Sequence, residues 1–448
     1  MTLPAAAHPL TLIAAAPLSG TIAVPGDKSI SHRALILASL AVGESRISGL
    51  LEGDDVLATA AALRSMGADI ARDEQGTWRI HGVGVGSLLQ PQSALDMGNS
   101  GTSTRLLMGL VASHPISATF IGDASLSRRP MGRVIEPLSA IGADITASPG
   151  SRLPLMLRGM APALPTRYRL PVPSAQVKSA LLLAGLNIQG TTTVIEPVPT
   201  RDHSERMLAG FGATIETMIG ADGARTISIT GWADLKPQTL QVPGDPSSAA
   251  FAAVAATLVE GSDILIEGVG MNSTRDGLFR VLCMMGASIE RRNPRTVGGE
   301  PVADLRVRSA PLTGIEVPPD IAPSMIDEYP VLFVAAALAQ GRTTMRGLEE
   351  LRVKESDRIA VMAAGLAACG IAVTQLPDGL IVEGSGGEKV RGGAHVAAHL
   401  DHRIAMSFAI LSLAARAPIT VDDRAPIATS FPTFVSLMQS LGSAEITA

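Results

Sequence analysis

The stretch Leu63-Arg-Ser-Met-Gly-Ala-Asp-Ile70 joins an apolar run that ends in glycine to a small residue and then a β-branched one. A glycine just past the last apolar residue commonly ends an α-helix, because it adopts a left-handed conformation at low cost. Isoleucine shortly after such a turn is typical of a strand. The octapeptide therefore predicts a helix that turns at Gly67 into a β-strand.

The same pattern returns along the chain at intervals of 75, 70, 74, 84 and 72 residues. Its turn glycines are Gly67, Gly142, Gly212, Gly286, Gly370 and Gly442. Regular spacing of this length indicates repeated supersecondary units. Each unit also contains an Ala/Leu-rich helix that is apolar on nearly every face, which we expect to be buried. We predict six βαβαββ units and an α/β (α+β) fold.

A second repetition indicates how the units are grouped. Val24-Pro-Gly-Asp-Lys-Ser29 returns, altered, as Val242-Pro-Gly-Asp-Pro-Ser247. A chain of 448 residues exceeds the size at which one core keeps growing. We expect two domains of three units each, joined by a two-strand hinge, with residues 26–243 inserted between 1–25 and 244–448.

Composition excludes several classes of protein. Hydrophobic residues make up 46% and charged residues 17%, with a mean hydropathy of +0.30, which indicates a globular chain. A net charge of −5 disfavours nucleic acid as a partner. The longest uncharged runs are interrupted by proline or glycine, so we expect no membrane segment. The two cysteines lack metal-binding spacing, and we expect buried thiols, no metal and a cytoplasmic location.

Polar loops precede the buried helices, and the first of them is Gly26-Asp-Lys-Ser-Ile-Ser-His-Arg33. Ser29 or Ser31 is a candidate helix cap, and Lys28 and Arg33 together with free backbone N–H groups would form an anion site. The alternative is an ordinary capped helix with exposed charges.

Corresponding loops occur in other repeats. They are 96–105, 123–133 and 173–180 in the first half, and 324–330, 351–358 and 401–408 in the second. For one of Asp327 and Glu328, helix capping is the simple alternative to a functional role. Lys354 and Arg358, at i and i+4, would share a helical face, and the alternative there is an exposed salt-bridged helix. If the buried helices run side by side, however, their N-termini would sum their dipoles. Two such faces opposed would enclose an anion-attracting, closing cleft.

Eight ordered motifs, from about residue 18 to about residue 440, resemble the 5-enolpyruvylshikimate-3-phosphate synthases (3-phosphoshikimate 1-carboxyvinyltransferases). They are VPGDKSISHR, GNSGTSTR, RPMGR, SAQVKSALLLAGL, RDHSERM, DEYPVLFVAAALA, LRVKESDRI and HRIAMSF. The resemblance is strongest to the second, glyphosate-tolerant-like bacterial class. It implies two inside-out α/β domains and transfer of the enolpyruvyl group of phosphoenolpyruvate to the 5-hydroxyl of shikimate 3-phosphate, without metal or organic cofactor.

The resemblance also implies roles for individual residues. The expected catalytic residues are Asp327, Glu355, Lys28 and Lys354. The expected contacts of shikimate 3-phosphate are Lys28, Ser29, Arg33, Ser174, Ala175, Gln176, Arg201, Asp327 and Lys354. The expected contacts of phosphoenolpyruvate are Lys28, Gly101, Arg129, Gln176, Arg358 and Arg403. The acid/base residues would lie in the discontinuous domain and most shikimate 3-phosphate contacts in the inserted one.

Two positions depart from the family pattern. Ala175 replaces a serine that many members have, so it offers only its backbone, and Thr429 stands where the first class has a lysine. Glyphosate is a possible inhibitor, and we expect a monomer. The nearest alternative is a UDP-N-acetylglucosamine enolpyruvyl transferase, but its usual loop cysteine has no counterpart because both cysteines are predicted in helices. A non-catalytic clamp around nucleic acid would need a basic inner face.

Overall fold

A computed structural model describes residues 8–446, so the outermost ends of the predicted discontinuous domain, 1–7 and 447–448, lie outside the described residues. The helices are α1 Lys28–Leu40, α2 Asp54–Ser65, α3 Gly101–Ala112, α4 Gly132–Ala140, α5 Ala175–Gly185, α6 His203–Gly210, α7 Pro246–Leu258, α8 Gly277–Met284, α9 Tyr329–Leu338, α10 Arg358–Ala368, α11 His402–Leu413 and α12 Phe434–Ser440. Short 3-10 turns lie at Leu126–Arg128, Pro319–Ser324, Ile326–Glu328, Glu349–Val353 and Ala425–Thr429.

The strands form several small sheets. They are β1 Leu12–Ala14, β2 Ser19–Ala23, β3 Gly43–Ser48, β4 Asp69–Arg72, β5 Trp78–Gly82, β6 Leu95–Asp96, β7 Ser117–Ile121, β8 Asp144–Ser148, β9 Arg152–Arg158, β10 Arg167–Arg169, β11 Thr191–Glu196, β12 Ile215–Ile219, β13 Arg225–Thr230, β14 Thr239–Gln241, β15 Asp263–Gly270, β16 Ser288–Val297, β17 Glu300–Arg308, β18 Arg342–Met345, β19 Val373–Leu376, β20 Gly379–Glu383, β21 Val390–Gly392, β22 His395–Val396, β23 Ala415–Ala417, β24 Thr420–Val421 and β25 Ser443–Glu445.

The glycine turns confirm the repeat pattern. Helices α2, α4, α6, α8, α10 and α12 each end two residues before one of the six glycines. All six glycines have positive φ, between 89° and 115°. This is the left-handed region that ends a helix and that a side chain would disfavour.

The chain divides into two compact units. The inserted unit comprises Gly26–Val242 and Val297–Glu300, and the discontinuous unit comprises the described residues up to Pro25, Pro243–Thr296 and those from Pro301 onward. The tip between β16 and β17 groups with the inserted unit because His203 Nδ1 lies 2.8 Å from Glu300 Oε1 and Arg206 donates to the Gly299 carbonyl.

The inserted unit repeats one sheet three times. The strand orders are β14-β3-β5-β4, β6-β7-β9-β8 and β10-β11-β13-β12. In each sheet the first pair is parallel and the next two pairs are antiparallel. Each repeat is thus a βαβαββ unit, except that the first takes its leading strand, β14, from the far end of the insertion.

The discontinuous unit is less regular. Its first sheet, β2-β15-β17-β16, again takes its leading strand from a distant segment, since β2 pairs parallel with β15. The second sheet is β18-β20-β19, and the third repeat is split among the pairs β21-β23, β22-β24 and β1-β25. The mixed α/β architecture agrees with the prediction.

Each unit has its own core, formed largely by the predicted buried helices. Helix α9 is buried throughout, and α7 is buried except at Leu258. In the inserted unit α1, α3 and α5 have most of their residues buried. No helix among residues 8–446 is long and apolar enough to cross a membrane.

One burial prediction is wrong. Cys369, the residue immediately after α10, is buried as expected, but Cys283 is exposed. Helix α8 buries Leu278, Phe279, Val281 and Leu282 on one face, and Cys283 lies on the other. The apolar surroundings of Cys283 in sequence did not reveal that α8 is a covering helix with one solvent face.

Candidate active site

The first predicted anion loop begins α1 in the inserted unit. Asp27 is the N-cap, because its side chain accepts a hydrogen bond from the Ile30 N–H at 2.8 Å. The expectation that Ser29 or Ser31 caps the helix is therefore wrong, since the aspartate already occupies that position. Lys28, the first helical residue, forms an ion pair with Asp55 and keeps about a fifth of its side chain exposed.

Arg33 is one turn further along α1 and is almost fully buried. Its Nε donates to Ser204 Oγ at 2.7 Å, Nη2 to Ser179 Oγ at 2.7 Å and Nη1 to the Ser29 carbonyl at 2.9 Å. Burial lowers the pKa of Arg33 to about 10, partly offset by Glu205. The side chain remains a cation at neutral pH.

The N-termini of α3 and α5 meet through side chains. Gln176 Nε2 donates to Thr102 Oγ1 at 3.0 Å, and Arg105 Nη1 donates to Gln176 Oε1 at 2.8 Å. Helix α3 begins at Gly101, and α5 at Ala175. Two helix starts thus lie next to the buried guanidinium of Arg105.

Arg129 approaches the same start of α3. It donates to both the carbonyl and the side-chain oxygen of Asn99 and to Ser125 Oγ. A Cβ at Gly101 would lie 2.9 Å from Arg105 Nη1 and 3.4 Å from Arg129 Nη1. The absence of a side chain at Gly101 therefore leaves room for two arginines at one helix N-terminus.

The remaining predicted residues of the inserted unit are Ser174, Ala175 and Arg201. Ser174 is the N-cap of α5 and accepts from the Val177 N–H at 3.4 Å. Ala175 and Arg201 are half-buried. Arg201 is among the charges that lower the pKa of Arg33, which places the two guanidiniums within electrostatic reach.

The discontinuous unit gathers its predicted residues around Arg358, which is 1% exposed. Arg358 Nε donates to Asp401 Oδ2 at 2.8 Å, and Nη2 donates to Glu355 Oε2 at 2.6 Å. Its Nη1 lies 3.4 Å from Asp327 Oδ1. Burial alone would lower the pKa of Arg358, but the three carboxylates outweigh burial and raise it.

Lys354 and Arg403 complete this cluster. Lys354 Nζ lies 3.6 Å from Asp327 Oδ1 and 2.9 Å from Glu350 Oε1. Arg403 Nη1 donates to the Asp327 carbonyl at 3.0 Å. Asp327 is thus flanked by Lys354, Arg358 and Arg403.

The predicted shared helical face of Lys354 and Arg358 is wrong. A 3-10 turn ends at Val353, Lys354 comes next, and α10 begins only at Arg358. Asp357 is the N-cap of α10 and accepts from the Ala360 N–H, so the helix cannot include Lys354. The two cations converge on Asp327 from a loop and a helix start instead.

Glu328, beside Asp327, faces a different partner. Ser247 Oγ donates to Glu328, and Arg275 Nη2 lies 3.7 Å from Glu328 Oε1 and 3.1 Å from Asp245 Oδ1. All four of these side chains are buried. Glu328 is therefore part of a separate buried ion cluster, whereas Asp327 contacts Lys354 and Arg358.

Thr429 is close to the start of α11. Its Oγ1 donates to the Pro426 carbonyl at 2.8 Å and lies 3.5 Å from His402 Nδ1.

In the described part of the chain, one group has metal-ligand side chains within 4.8 Å of one another, namely Asp202, His203 and Glu300. His203 hydrogen-bonds Glu300 and Asp202 pairs with Arg206 at 2.9 Å, so these contacts account for their placement without an ion.

Arg105 lies in the 96–105 loop predicted as an anion site, as a basic residue one turn into a glycine-rich helix start, but it was not among the expected contacts. Sequence reasoning missed two further residues, Asp55 and Asp401. Asp55 and Asp401 carried no such signal, because each precedes or begins a helix and so looks like an ordinary terminal carboxylate. Their pairing with Lys28 and Arg358 depends on residues distant in sequence.

Buried arginines at helix N-termini in one unit, and carboxylates held between cations in the other, are typical of an enzyme that binds small polyanions and moves protons. The family model described as EPSP synthase (3-phosphoshikimate 1-carboxyvinyltransferase) matches residues 13–438. A 3-phosphoshikimate 1-carboxyvinyltransferase of Sphingopyxis alaskensis is 68% identical over 97% of this chain and 98% of its own. One of Novosphingobium aromaticivorans is 67% identical over 97% and 99%. The solved EPSP synthase of Acinetobacter baumannii aligns with a TM-score of 0.86 at 44% identity, covering 98% of this chain and all of its own.

The chain belongs to the EPSP synthase family. It transfers the enolpyruvyl group of phosphoenolpyruvate to the 5-hydroxyl of shikimate 3-phosphate and releases phosphate, a step of aromatic amino acid biosynthesis. The family binds these two substrates and is inhibited by glyphosate. The function predicted from the motifs is confirmed.

Proposed function

We propose that Asp327 and Glu355 carry the proton transfers of this enolpyruvyl transfer, assisted by Lys28 and Lys354. The observation that carries the proposal is the placement of both carboxylates on one buried guanidinium, at 3.4 Å and 2.6 Å from Arg358. Lys354 near Asp327 adds a positive charge where negative charge would develop on reacting oxygens.

The proposed chemistry is an addition followed by an elimination. The 5-hydroxyl oxygen bonds to C2 of phosphoenolpyruvate and gives its proton to Asp327, while protonated Glu355 gives a proton to C3. The product is a tetrahedral ketal that still carries phosphate. Loss of phosphate from C2, with a C3 proton returning to Glu355, restores the double bond, and the proton on Asp327 leaves with phosphate.

We propose that the inserted unit supplies most contacts of shikimate 3-phosphate. These are Lys28, Ser29, Arg33, Ser174, Ala175, Gln176 and Arg201, with Asp327 and Lys354 from the discontinuous unit. The support is local: Lys28 is partly exposed, Ser174 caps α5, and Arg33 and Arg201 are within electrostatic reach. Ala175 would contribute its backbone N–H, which is free at the first position of a helix.

The proposed contacts of phosphoenolpyruvate are Lys28, Gly101, Arg129, Gln176, Arg358 and Arg403. Gly101 begins α3 with Arg129 beside it, so an anionic oxygen there would be attracted by both the positive end of the helix and a guanidinium. Arg358 and Arg403 would neutralise a second anionic group of the same small molecule.

The test is phosphate release from purified enzyme. Release should require both substrates, and release with a UDP-sugar in place of shikimate 3-phosphate would contradict the assignment. Asp327→Asn and Glu355→Gln should each lower kcat by about 10²- to 10⁴-fold, the usual contribution of a positioned acid or base, with a much smaller effect on KM. Glu349→Gln, at an exposed carboxylate of the neighbouring 3-10 turn, is the matched control. A normal kcat in either site variant would remove that residue from its role.

We also propose membership of the second, glyphosate-tolerant-like class, supported by the full set of motifs and by Thr429, which stands where the first class has a lysine. Phosphate release measured against increasing glyphosate tests it, and inhibition at concentrations far below the KM for phosphoenolpyruvate would contradict it.

Location and oligomeric state are further parts of the proposal. Two unpaired cysteines fit a reducing cytoplasm. All proposed site residues come from one chain, so a monomer suffices. Light scattering on the purified protein tests the monomer, and fractionation of the producing cells tests the location.

A further inference from the structure

Arg33 is held by two hydroxyl groups that none of the roles above includes. Nε donates to Ser204 Oγ and Nη2 to Ser179 Oγ, both at 2.7 Å, and the two hydroxyl oxygens lie 2.7 Å apart. Ser179 is wholly buried and Ser204 nearly so. The two hydroxyl groups thus accept hydrogen bonds along the edge of the guanidinium that carries Nε and Nη2, and they are hydrogen-bonded to each other.

The direction of each hydrogen bond can be assigned by counting protons. Ser179 Oγ donates to the Ala175 carbonyl at 2.6 Å, and a hydroxyl has only one proton to donate. In the contact between the hydroxyls, Ser204 must therefore donate to Ser179. Both oxygens then accept a hydrogen bond from Arg33. Each donor and acceptor in the cluster can therefore be assigned in only one way, and these hydrogen bonds fix the plane of the guanidinium. With Nη1 bonded to the Ser29 carbonyl, three of the five N–H donors are used in these contacts, which leaves two for a ligand.

A buried ion cluster holds the two hydroxyls together. Ser179 comes directly after Lys178 on α5, and Ser204 directly before Glu205 on α6. Lys178 Nζ lies 2.7 Å from Glu205 Oε1 and 3.0 Å from Glu196 Oε2, and Lys178 and Glu196 have no exposed surface. The ion pair ties α5 to α6 at the level of the hydroxyl pair. Glu205 is also the carboxylate that most offsets the effect of burial on the pKa of Arg33.

We propose that Ser179 and Ser204 are positioning residues, which orient Arg33 so that it meets an anionic group of shikimate 3-phosphate as a fixed fork. The inference rests on the role proposed above for Arg33. An arginine side chain loses considerable rotamer freedom when it is immobilised, and an arginine that is already fixed binds its ligand without that cost. The hydroxyl pair therefore acts on affinity for this substrate and not on proton transfer.

The test is steady-state kinetics of the full chain with both substrates. Ser204→Ala should raise the KM for shikimate 3-phosphate about tenfold, the scale of one hydrogen bond to a charged group, with kcat and the KM for phosphoenolpyruvate within about twofold. Ser179→Ala should have the same pattern and serves if the first variant does not fold. Ser113→Ala is the matched control, because Ser113 is a buried serine of the same unit whose hydroxyl has no hydrogen-bond partner among the described residues.

A double-mutant cycle separates this inference from the role of Arg33 itself. Arg33→Ala should raise the same KM, and adding Ser204→Ala to it should change that KM by less than about twofold, because the positioned group is gone. If Arg33→Ala raises the KM but neither serine variant does, the positioning role is wrong and the proposed site stands. If Arg33→Ala leaves the KM unchanged, the proposed role of Arg33 fails. Equal rises in both KM values, or a fall in kcat alone, would show a general structural effect and would overturn the inference.

Discussion

Replacing Asp401 by alanine should destabilise the discontinuous unit strongly. Both oxygens of this fully buried carboxylate contact Arg358, at 2.8 Å and 3.3 Å, and Oδ1 also accepts the Arg403 N–H at the start of α11. The Ser356 hydroxyl donates to it as well. Asp401→Ala therefore removes the main partner of a buried cation and a helix cap at once.

The magnitude can be worked out from these two losses. Breaking a buried ion pair from one side costs about 3 to 5 kcal/mol and losing an N-cap about 1 kcal/mol, so we expect a fall in the free energy of unfolding of about 4 to 6 kcal/mol. Urea titration monitored by circular dichroism gives the value, and hydrogen exchange of the α10 and α11 amides locates it. Asp401→Asn keeps an acceptor oxygen and loses the charge, so its free energy of unfolding should lie between those of the wild type and Asp401→Ala.

Asp357→Ala is the matched control for this prediction. Asp357 caps α10 as Asp401 caps α11, but its ionic partner is Arg352 and more than a third of its side chain is exposed. It should lose only the cap and a weak surface pair, about 1 to 2 kcal/mol. Equal losses in the two alanine variants would refute the dependence of Arg358 on Asp401.

Two further predictions concern Gly101 and Glu44. In Gly101→Ala the new methyl group must displace the tip of Arg105 and would contact Arg129, so the KM for phosphoenolpyruvate should rise while the KM for shikimate 3-phosphate changes little. Equal rises of the two KM values in kinetic assays would contradict this placement. A hydrogen bond from Arg79, and to a smaller extent one from Arg46, lowers the pKa of Glu44 from 4.5 to about 2. A carboxylate whose pKa is lower in the folded state than in the unfolded state stabilises the fold at pH values above its unfolded-state pKa. This stabilisation is lost as the pH falls toward the folded-state pKa. The difference in free energy of unfolding between wild type and Glu44→Gln should thus shrink from pH 4.5 toward pH 2, and urea titrations that show a constant difference would count against the pairing.

Repeated local chemistry made the architecture predictable. A glycine after an apolar helix specifies a left-handed turn whatever the rest of the chain does, so Gly67 and its five counterparts marked the repeats correctly. The burial of α9 was predictable in the same way, because a helix without a polar face has no stable place in water. Cys283 shows the limit, since an apolar neighbourhood in sequence does not reveal which face of a helix is covered.

The candidate site was only partly predictable for a related physical reason. Residue type indicated which side chains can bind anions, but the positions of those side chains in a helix had to be assumed, because the sequence did not show where each helix begins. The spacing of Lys354 and Arg358 fits an i, i+4 pair on one helix, but the helix begins only after Asp357, which caps it. Several carboxylates lie near this helix start, and the sequence does not show which of them accepts the free N–H groups. Partners such as Asp55 and Asp401 are supplied by other segments, which no local pattern encodes.

The two Val-Pro-Gly-Asp turns share one local structure and differ in the residue after the aspartate. Asp27 caps α1 and Asp245 caps α7, each accepting from an N–H of the first turn. In the first copy the next residue is Lys28, whose side chain pairs with Asp55 and stays partly exposed. In the second copy the next residue is Pro246, and the cation near the cap is the buried Arg275, already shared with Glu328. The duplicated turn therefore begins a helix in both units, whereas the cation of the first copy is partly exposed and that of the second is buried. On the role proposed for Lys28, Lys28→Ala should raise the KM for shikimate 3-phosphate more than any substitution at Pro246 that preserves α7.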